Sequence, residues 1–329
     1  NAEAIDRLTA EAVERGASVV VFPELSLTGY TCGDLFLQSR IIEAGDEALA
    51  LLLSTPRDIV SIIGMPIYYK NNLYNCAVVI AKGKICGIVP KSYIPNYSEF
   101  YESRWFTEGR DIRNAEITIC GQRVRFGTDL LFEVHGTRFG VEICEDLWVA
   151  RQPSSQLTLD GAKIIFNLSS EAEMVGKYGY LSGLVCEQSS RMVGAYVYSS
   201  SGFGESTTDL AYAGNAFVAE NGYMLAYSER FSMEEQLVVA DVDVELLLAE
   251  RQRRNTFDMG YDVRKFALTN LDVAPNAVAS VDRYIEAMPF VPEDSQALAL
   301  RCEEVFSMQS FGLAKRLKHT SCRSAVIGI

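Results

Sequence analysis

Residues 18–22, Ser-Val-Val-Val-Phe, form a short unbroken apolar run, the pattern of a strand covered on both faces. Ahead of it Ile5, Leu8 and Ala12 recur at helical spacing, and Gly16 is placed to end that helix. A second helix is predicted over 41–53. Extended segments follow at 58–69 and 73–89, with Asn71-Asn72 and Lys82-Gly83 supplying turns. Residues 125–129 and 130–144 read as further strands, with Gly136-Thr137 as a tight reversal, and 164–168 reads as another buried strand. Helical sequence over 183–192 precedes strands at 195–199, 217–219 and 224–227. The last two are joined by Asn221-Gly222 as a hairpin, and a final strand is predicted over 237–244. Strands alternating with helices, with hairpins interspersed, predict an α/β sandwich with mixed sheets.

The pattern changes near residue 250. Arg251, Arg253 and Arg254 cluster, residues 270–280 lose the sheet alternation, and Met288-Pro-Phe-Val-Pro292 reads as a linker. From Glu293 a helical pattern carries Leu298, Leu300, Val305, Phe306, Leu313 and Leu317, and the apolar run 325–329 reads as a buried strand. The expected organisation is one domain over 1–265, a linker over 266–292, and the beginning of a second α/β unit over 293–329. A helix that opens at Asn1 and a strand that stops at Ile329 lead us to expect a segment of a longer protein.

Composition narrows the function classes. Hydrophobic residues make up 48% and charged residues 22%, the balance of a water-soluble globular protein. The net charge of −13 disfavours nucleic acid and anionic membranes as partners. No run approaches the roughly 20 apolar residues of a membrane span, and no signal peptide is visible. The eight cysteines form no Cys-x-x-Cys pair and several lie in apolar runs. That argues for reduced thiols in a cytoplasmic setting and against a structural zinc.

Three strand ends carry the candidate chemistry. Pro23 stops the first strand and presents Glu24. Val89-Pro90-Lys91 presents an ammonium, and Val-Glu-Ile-Cys144-Glu-Asp presents a thiol. Taken singly, Cys144 reads as a core thiol, Glu24 as a solvated carboxylate or helix cap, and Lys91 as a surface lysine. Jointly they supply what amide cleavage needs: a nucleophile, a proton carrier and a stabiliser of the oxyanion. His135 stands nine positions before Cys144 and His319 lies in the appendage. A carboxylate base beside an ammonium is therefore favoured over a Cys-His pair.

The Phe22-Pro23-Glu24, Pro90-Lys91 and Cys144-Glu145-Asp146 segments resemble the Glu-Lys-Cys triad contexts of the nitrilase superfamily. Leu27-Thr-Gly-Tyr-Thr-Cys-Gly-Asp-Leu35, the segment from Lys91 to Glu102, Arg104-Trp105-Phe106 and Gly204-Glu-Ser-Thr-Thr-Asp-Leu210 narrow this further. They look like the glutaminase domain of glutamine-dependent NAD+ synthetases, and the segment from Gln309 to His319 looks like the lead-in to that family's synthetase domain.

The resemblance implies a four-layer α-β-β-α sandwich and homo-oligomerisation. It implies glutamine as substrate, the chain's own synthetase domain as partner, and no cofactor in this chain, with ATP and Mg2+ belonging to the synthetase domain. It implies Cys144 as nucleophile, Glu24 as proton carrier, and Lys91 with the Glu145 N–H as oxyanion donors. Tyr97 and Phe100 would line the glutamine pocket, Glu145 would bind the α-amino group or orient the amide, and Lys177 would meet the substrate carboxylate. A second pocket carboxylate is expected after the lysine, and both Glu99 and Glu102 fit. One position departs: a small Ser is expected at 171, where this chain has Glu. Glu171 could point away, pair with Lys177 or mark a local shift. An amidase for another small amide, and a non-catalytic scaffold, are the competing readings.

Overall fold

The computed structural model describes residues 1–257, 266–275, 281, 283–326 and 328. Its first compact unit, Asn1–Arg283, is built on two sheets. The first sheet contains β1 (Val19–Val21), β2 (Val60–Tyr69), β3 (Asn72–Ala81), β4 (Lys84–Pro90), β5 (Ala115–Ile119) and β6 (Gln122–Phe126), in the order β1-β2-β3-β4-β6-β5. The second contains β7 (Leu130–Val134), β8 (Thr137–Ile143), β9 (Ile164–Ser169), β10 (Ala195–Ser200), β11 (Ala216–Glu220), β12 (Tyr223–Tyr227) and β13 (Ala267–Asn270). Its order is β12-β11-β10-β9-β8-β7-β13.

Side-chain alternation along the central strands explains the layering. In β3, Ala77 and Val79 face the second sheet and pack with Val60, Ile62, Phe132, Phe139, Val141 and Phe166. Cys76 and Val78 face the other way, onto helices α1 (Ala2–Glu14) and α2 (Ser39–Ser54), through Ile5, Ala12, Leu49 and Leu52. On the far side of the second sheet, Leu157 of α3 (Pro153–Leu159) and Leu181, Val185 and Met192 of α4 (Lys177–Met192) cover Ile165, Tyr196 and Phe217. Strands that are apolar on both faces can sit only between two layers. The result is the expected α-β-β-α sandwich.

Several local expectations are corrected. Residues 237–243 carry no strand, and helix α5 (Val244–Arg253) begins where the strand was expected to end. Leu237 packs against the α1 layer, its carbonyl accepts from Arg15, and the Asp243 N–H donates to Glu220. These backbone groups are satisfied outside any ladder. Helix α4 starts six residues before the predicted start. Residues 125–129 are not a strand of their own: β6 ends at Phe126 and pairs with β5 as a hairpin through Cys120-Gly121. Within the expected linker, β13 adds to the edge of the second sheet, parallel to β7.

The second unit, Tyr284–Ile329, is dominated by α6 (Ser295–His319), which Asp294 caps by accepting from the Ala297 N–H at 2.7 Å. The expected terminal strand is not seen: Ala325 and Val326 lie outside any regular element, and Ile327 and Ile329 lie outside the described residues. Among the described residues no helix is long and apolar enough to cross a membrane.

Candidate active site

The site lies where β1, β4, β8 and β9 end together. Pro23 turns the chain off β1, and the Glu24 N–H donates to the Ser169 carbonyl at the end of β9, tying the two sheets together at that point. The turn from Pro23 to Leu25 passes directly over β2 because position 64 is glycine. A Cβ there would come within 2.2 Å of the Leu25 nitrogen and 2.7 Å of the Pro23 oxygen. Lys91 follows β4, held by its N–H to the Asn75 carbonyl at 2.8 Å. Cys144 follows β8 as the first residue of a short 3-10 turn and has φ of +42°, a conformation rare for a residue with a side chain. Its N–H donates to Asn167 Oδ1 at 3.1 Å.

Asp146 joins two of these ends. Its carboxylate accepts from the N–H groups of Ser92, Tyr93 and Ile143. The lysine segment is thereby clamped to the cysteine turn.

Glu24, Lys91 and Cys144 converge in one buried cluster, with relative exposures of 0%, 0% and 2%. Lys91 Nζ donates to Glu24 Oε1 at 2.7 Å and to both Glu102 oxygens at 2.8 Å. Asn75 donates to the same Glu24 oxygen at 2.6 Å, and Tyr30 donates to Glu102 at 2.9 Å. Glu24 Oε2 is buried and makes no hydrogen bond. It is therefore an acceptor open to a proton.

Electrostatics follow from this packing. Burial raises the Glu24 carboxyl to about 7; Lys91 opposes the rise and Glu102 adds to it. Burial also pushes the Cys144 thiol well above its ordinary range, reinforced by Glu24 and opposed by Lys91. Burial by itself would depress Lys91, but Glu102 and Glu24 outweigh it and hold the ammonium charged. The resting cluster is thus a neutral thiol, a fixed cation and a carboxylate that changes protonation near neutral pH. That carboxylate can carry a proton in either direction.

Of the two carboxylates after the lysine, Glu102 touches Lys91, whereas Glu99 approaches Lys177 at 4.0 Å. Both line a cavity of about 240 Å3, together with Tyr30, Trp105, Asp209 and Tyr212. Tyr97 donates to Glu145 at 2.9 Å and stands edge-on to Phe100, with ring centroids 5.9 Å apart. Burial raises the Glu145 carboxyl, against the Tyr97 hydrogen bond. Lys177 opens α4 within reach of the faces of Trp148 and Phe100, at 5.6 and 5.9 Å. Glu171 points inward: it accepts from Lys177 through Oε1 and from the Cys144 thiol through Oε2, with sulfur and oxygen 3.7 Å apart.

Asp146 and Tyr30 lie in the quoted motifs without an assigned role, and Asn75 and Gly64 lie outside them. An Asn inside an apolar strand and a Gly in the middle of one were the available signals. Glu205, in the Gly204–Leu210 motif, accepts from the Tyr30 and Thr31 N–H groups at 2.8 and 2.9 Å and so anchors the loop that carries Tyr30.

Comparison with known proteins bears on the family and the fold. The carbon-nitrogen hydrolase family profile covers residues 1–252. Glutamine-dependent NAD+ synthetase of Mycobacterium tuberculosis is 40% identical over 343 aligned positions, covering all of this chain and 50% of that protein. The Homo sapiens protein of the same name is 32% identical, covering 71% of this chain and 35% of its own length. The chain thus spans at most about half the length of these curated relatives. Among solved structures, the glutamine-dependent NAD+ synthetase of Acinetobacter baumannii superposes with a TM-score of 0.64 at 27% identity, over 75% of this chain and 43% of that one. A nitrilase-superfamily amidase of Nesterenkonia superposes at 0.59 with 17% identity, over 77% of this chain and 88% of that one, a likeness of fold. Two sheets between helical layers, the buried carboxylate, ammonium and thiol at their strand ends, and the match over residues 1–252 establish that this chain belongs to the carbon-nitrogen hydrolase family.

Proposed function

We propose that this chain is the glutamine-hydrolysing part of an NAD+ synthetase, with Cys144 as nucleophile. The observation that carries the reading is one buried cluster holding a neutral thiol, a cation and a carboxylate with an open oxygen. Cys144 attacks the carboxamide carbon while its proton passes to Glu24. Lys91 and the Glu145 N–H stabilise the developing oxyanion, and losing one such donor typically costs about 3–4 kcal/mol of barrier. The C–N bond breaks as Glu24 returns the proton to nitrogen, releasing ammonia and leaving an acyl thioester. Glu24 then takes a proton from water, which attacks the thioester. Glutamate departs and the sulfur recovers its proton. Glu102 and Asn75 position the lysine and the base, and Glu145 with Tyr97 receives the substrate ammonium.

The ATP- and Mg2+-dependent use of the ammonia, amidation of nicotinic acid adenine dinucleotide, is assigned to a synthetase domain outside this chain. The eight unpaired cysteines fit a reducing cytoplasmic setting.

The test compares ammonia release from glutamine by the native chain and by Cys144→Ala. The variant is expected to lose turnover while keeping its circular dichroism and melting temperature. Unchanged turnover removes Cys144 from the mechanism. A second reading, an amidase for a different small amide, is favoured by the Glu171–Lys177 pair, which occupies the cation a substrate carboxylate would need. A panel of primary amides with and without a carboxylate separates the two.

A further inference from the structure

Glu171 occupies a position that the proposed chemistry does not use. It stands two residues past the end of β9, is 4% exposed, and its N–H donates to Ser200 Oγ at 3.0 Å. Its carboxylate spans the gap between the thiol and Lys177. Lys177 is the first residue of α4, where the helix dipole disfavours a cation, and the Glu171 carboxylate compensates for that placement. Around the thiol and Lys177 the side chains include five carboxylates, of Glu24, Glu99, Glu102, Glu145 and Glu171, against the two ammonium groups of Lys91 and Lys177. Lys91 is consumed by Glu24 and Glu102, so Lys177 is the cation left for an anionic ligand, and Glu171 already holds it.

Resting on the glutaminase reading, we propose that Glu171 is a specificity-determining residue that competes with the substrate's carboxylate for Lys177. An amide bearing only an ammonium meets the carboxylate of Glu145, whose partner is the neutral Tyr97 hydroxyl, without breaking an ion pair. Glutamine must displace Glu171 from Lys177, or bind with its own carboxylate unpaired beside it. Either route weakens glutamine relative to its carboxylate-free counterpart, 4-aminobutanamide. The choice between these ligands is then set at position 171 rather than at the nucleophile.

The experiment is calorimetric titration of both amides into three full-chain variants: Cys144→Ala, Cys144→Ala/Glu171→Ser and Cys144→Ala/Glu171→Gln. Removing the thiol stops turnover, so binding is read directly. The Glu171→Gln substitution preserves side-chain size. In both double variants the Kd for glutamine is expected to fall at least tenfold while that for 4-aminobutanamide stays the same or rises. An unchanged or weaker glutamine Kd in both, or an equal gain for both amides, overturns the inference. Glutamine turnover in the chain retaining Cys144 reports on the glutaminase reading separately. A binding contrast without turnover supports Glu171 as the selector and sinks that reading, whereas turnover without the contrast sinks only the role of Glu171.

Discussion

Replacing Glu102 with Gln isolates the electrostatic role of the second carboxylate. Glu102 and Glu24 share one ammonium, at 2.8 and 2.7 Å from Lys91 Nζ, and all three side chains are buried. Their charges then lie roughly 5 Å apart, and at an effective dielectric of about 20 they repel by about 3 kcal/mol. At about 1.36 kcal/mol per pH unit, this repulsion adds at most about two pH units to the larger effect of burial. Glu102 is among the causes that raise Glu24 to about 7. In Glu102→Gln the repulsion disappears and Lys91 is left to pair with Glu24 alone. Both changes favour ionised Glu24. The base must be ionised to take the thiol proton, so activity is lost as pH falls through its pKa. The acid limb of kcat/KM for ammonia release is therefore expected near pH 7 in the native chain and to move toward pH 5 in the variant. The stability cost should stay below the roughly 3–5 kcal/mol of a buried pair broken outright, because Glu24 still neutralises Lys91. A variant whose acid limb stays near pH 7 would refute the coupling and the assignment of Glu24 as the titrating base.

Two further outcomes test the framework around the site. Gly64→Ala should displace the Pro23–Leu25 turn, because the new Cβ would meet backbone atoms at 2.2 to 2.8 Å. Overpacking of this kind typically costs about 1–3 kcal/mol, and denaturant unfolding should record it together with a loss of turnover larger than stability alone explains. Asp146→Asn replaces one of the two oxygens that accept three N–H groups from the lysine and cysteine segments with a donor. Leaving a buried donor unsatisfied costs about 1–3 kcal/mol, so a drop of that order in unfolding free energy is expected, with reduced reactivity of Cys144 toward a glutamine-mimicking electrophile by intact mass. Native-like adduct formation in Asp146→Asn would show that the clamp is dispensable.

Local pattern revealed much of this protein because its information is short in range. The mainly apolar strands at 60–69 and 72–81 are buried on both faces, and that places their sheet between a helical layer and the second sheet. Pro23 follows β1 and Pro90 closes β4, immediately before Glu24 and Lys91, so these candidate groups are legible as strand-end residues. Three-dimensional packing decided what depends on neighbours distant in sequence. Glu99 and Glu102 are equivalent as sequence, and only the path of the loop placed Glu102 on Lys91 and turned Glu99 toward Lys177. Asn75, Asp146 and Gly64 matter through partners on other segments, which no spacing encodes. Residues 237–243 form no strand, because Leu237 and Asp243 are held by side chains of other elements instead of a ladder. The sequence by itself determined which chemical groups stand at the strand ends, since chain direction and proline set that locally. Only the tertiary structure decided which charges share a buried space, since Coulomb energy depends on distance through the fold and not on separation along the chain.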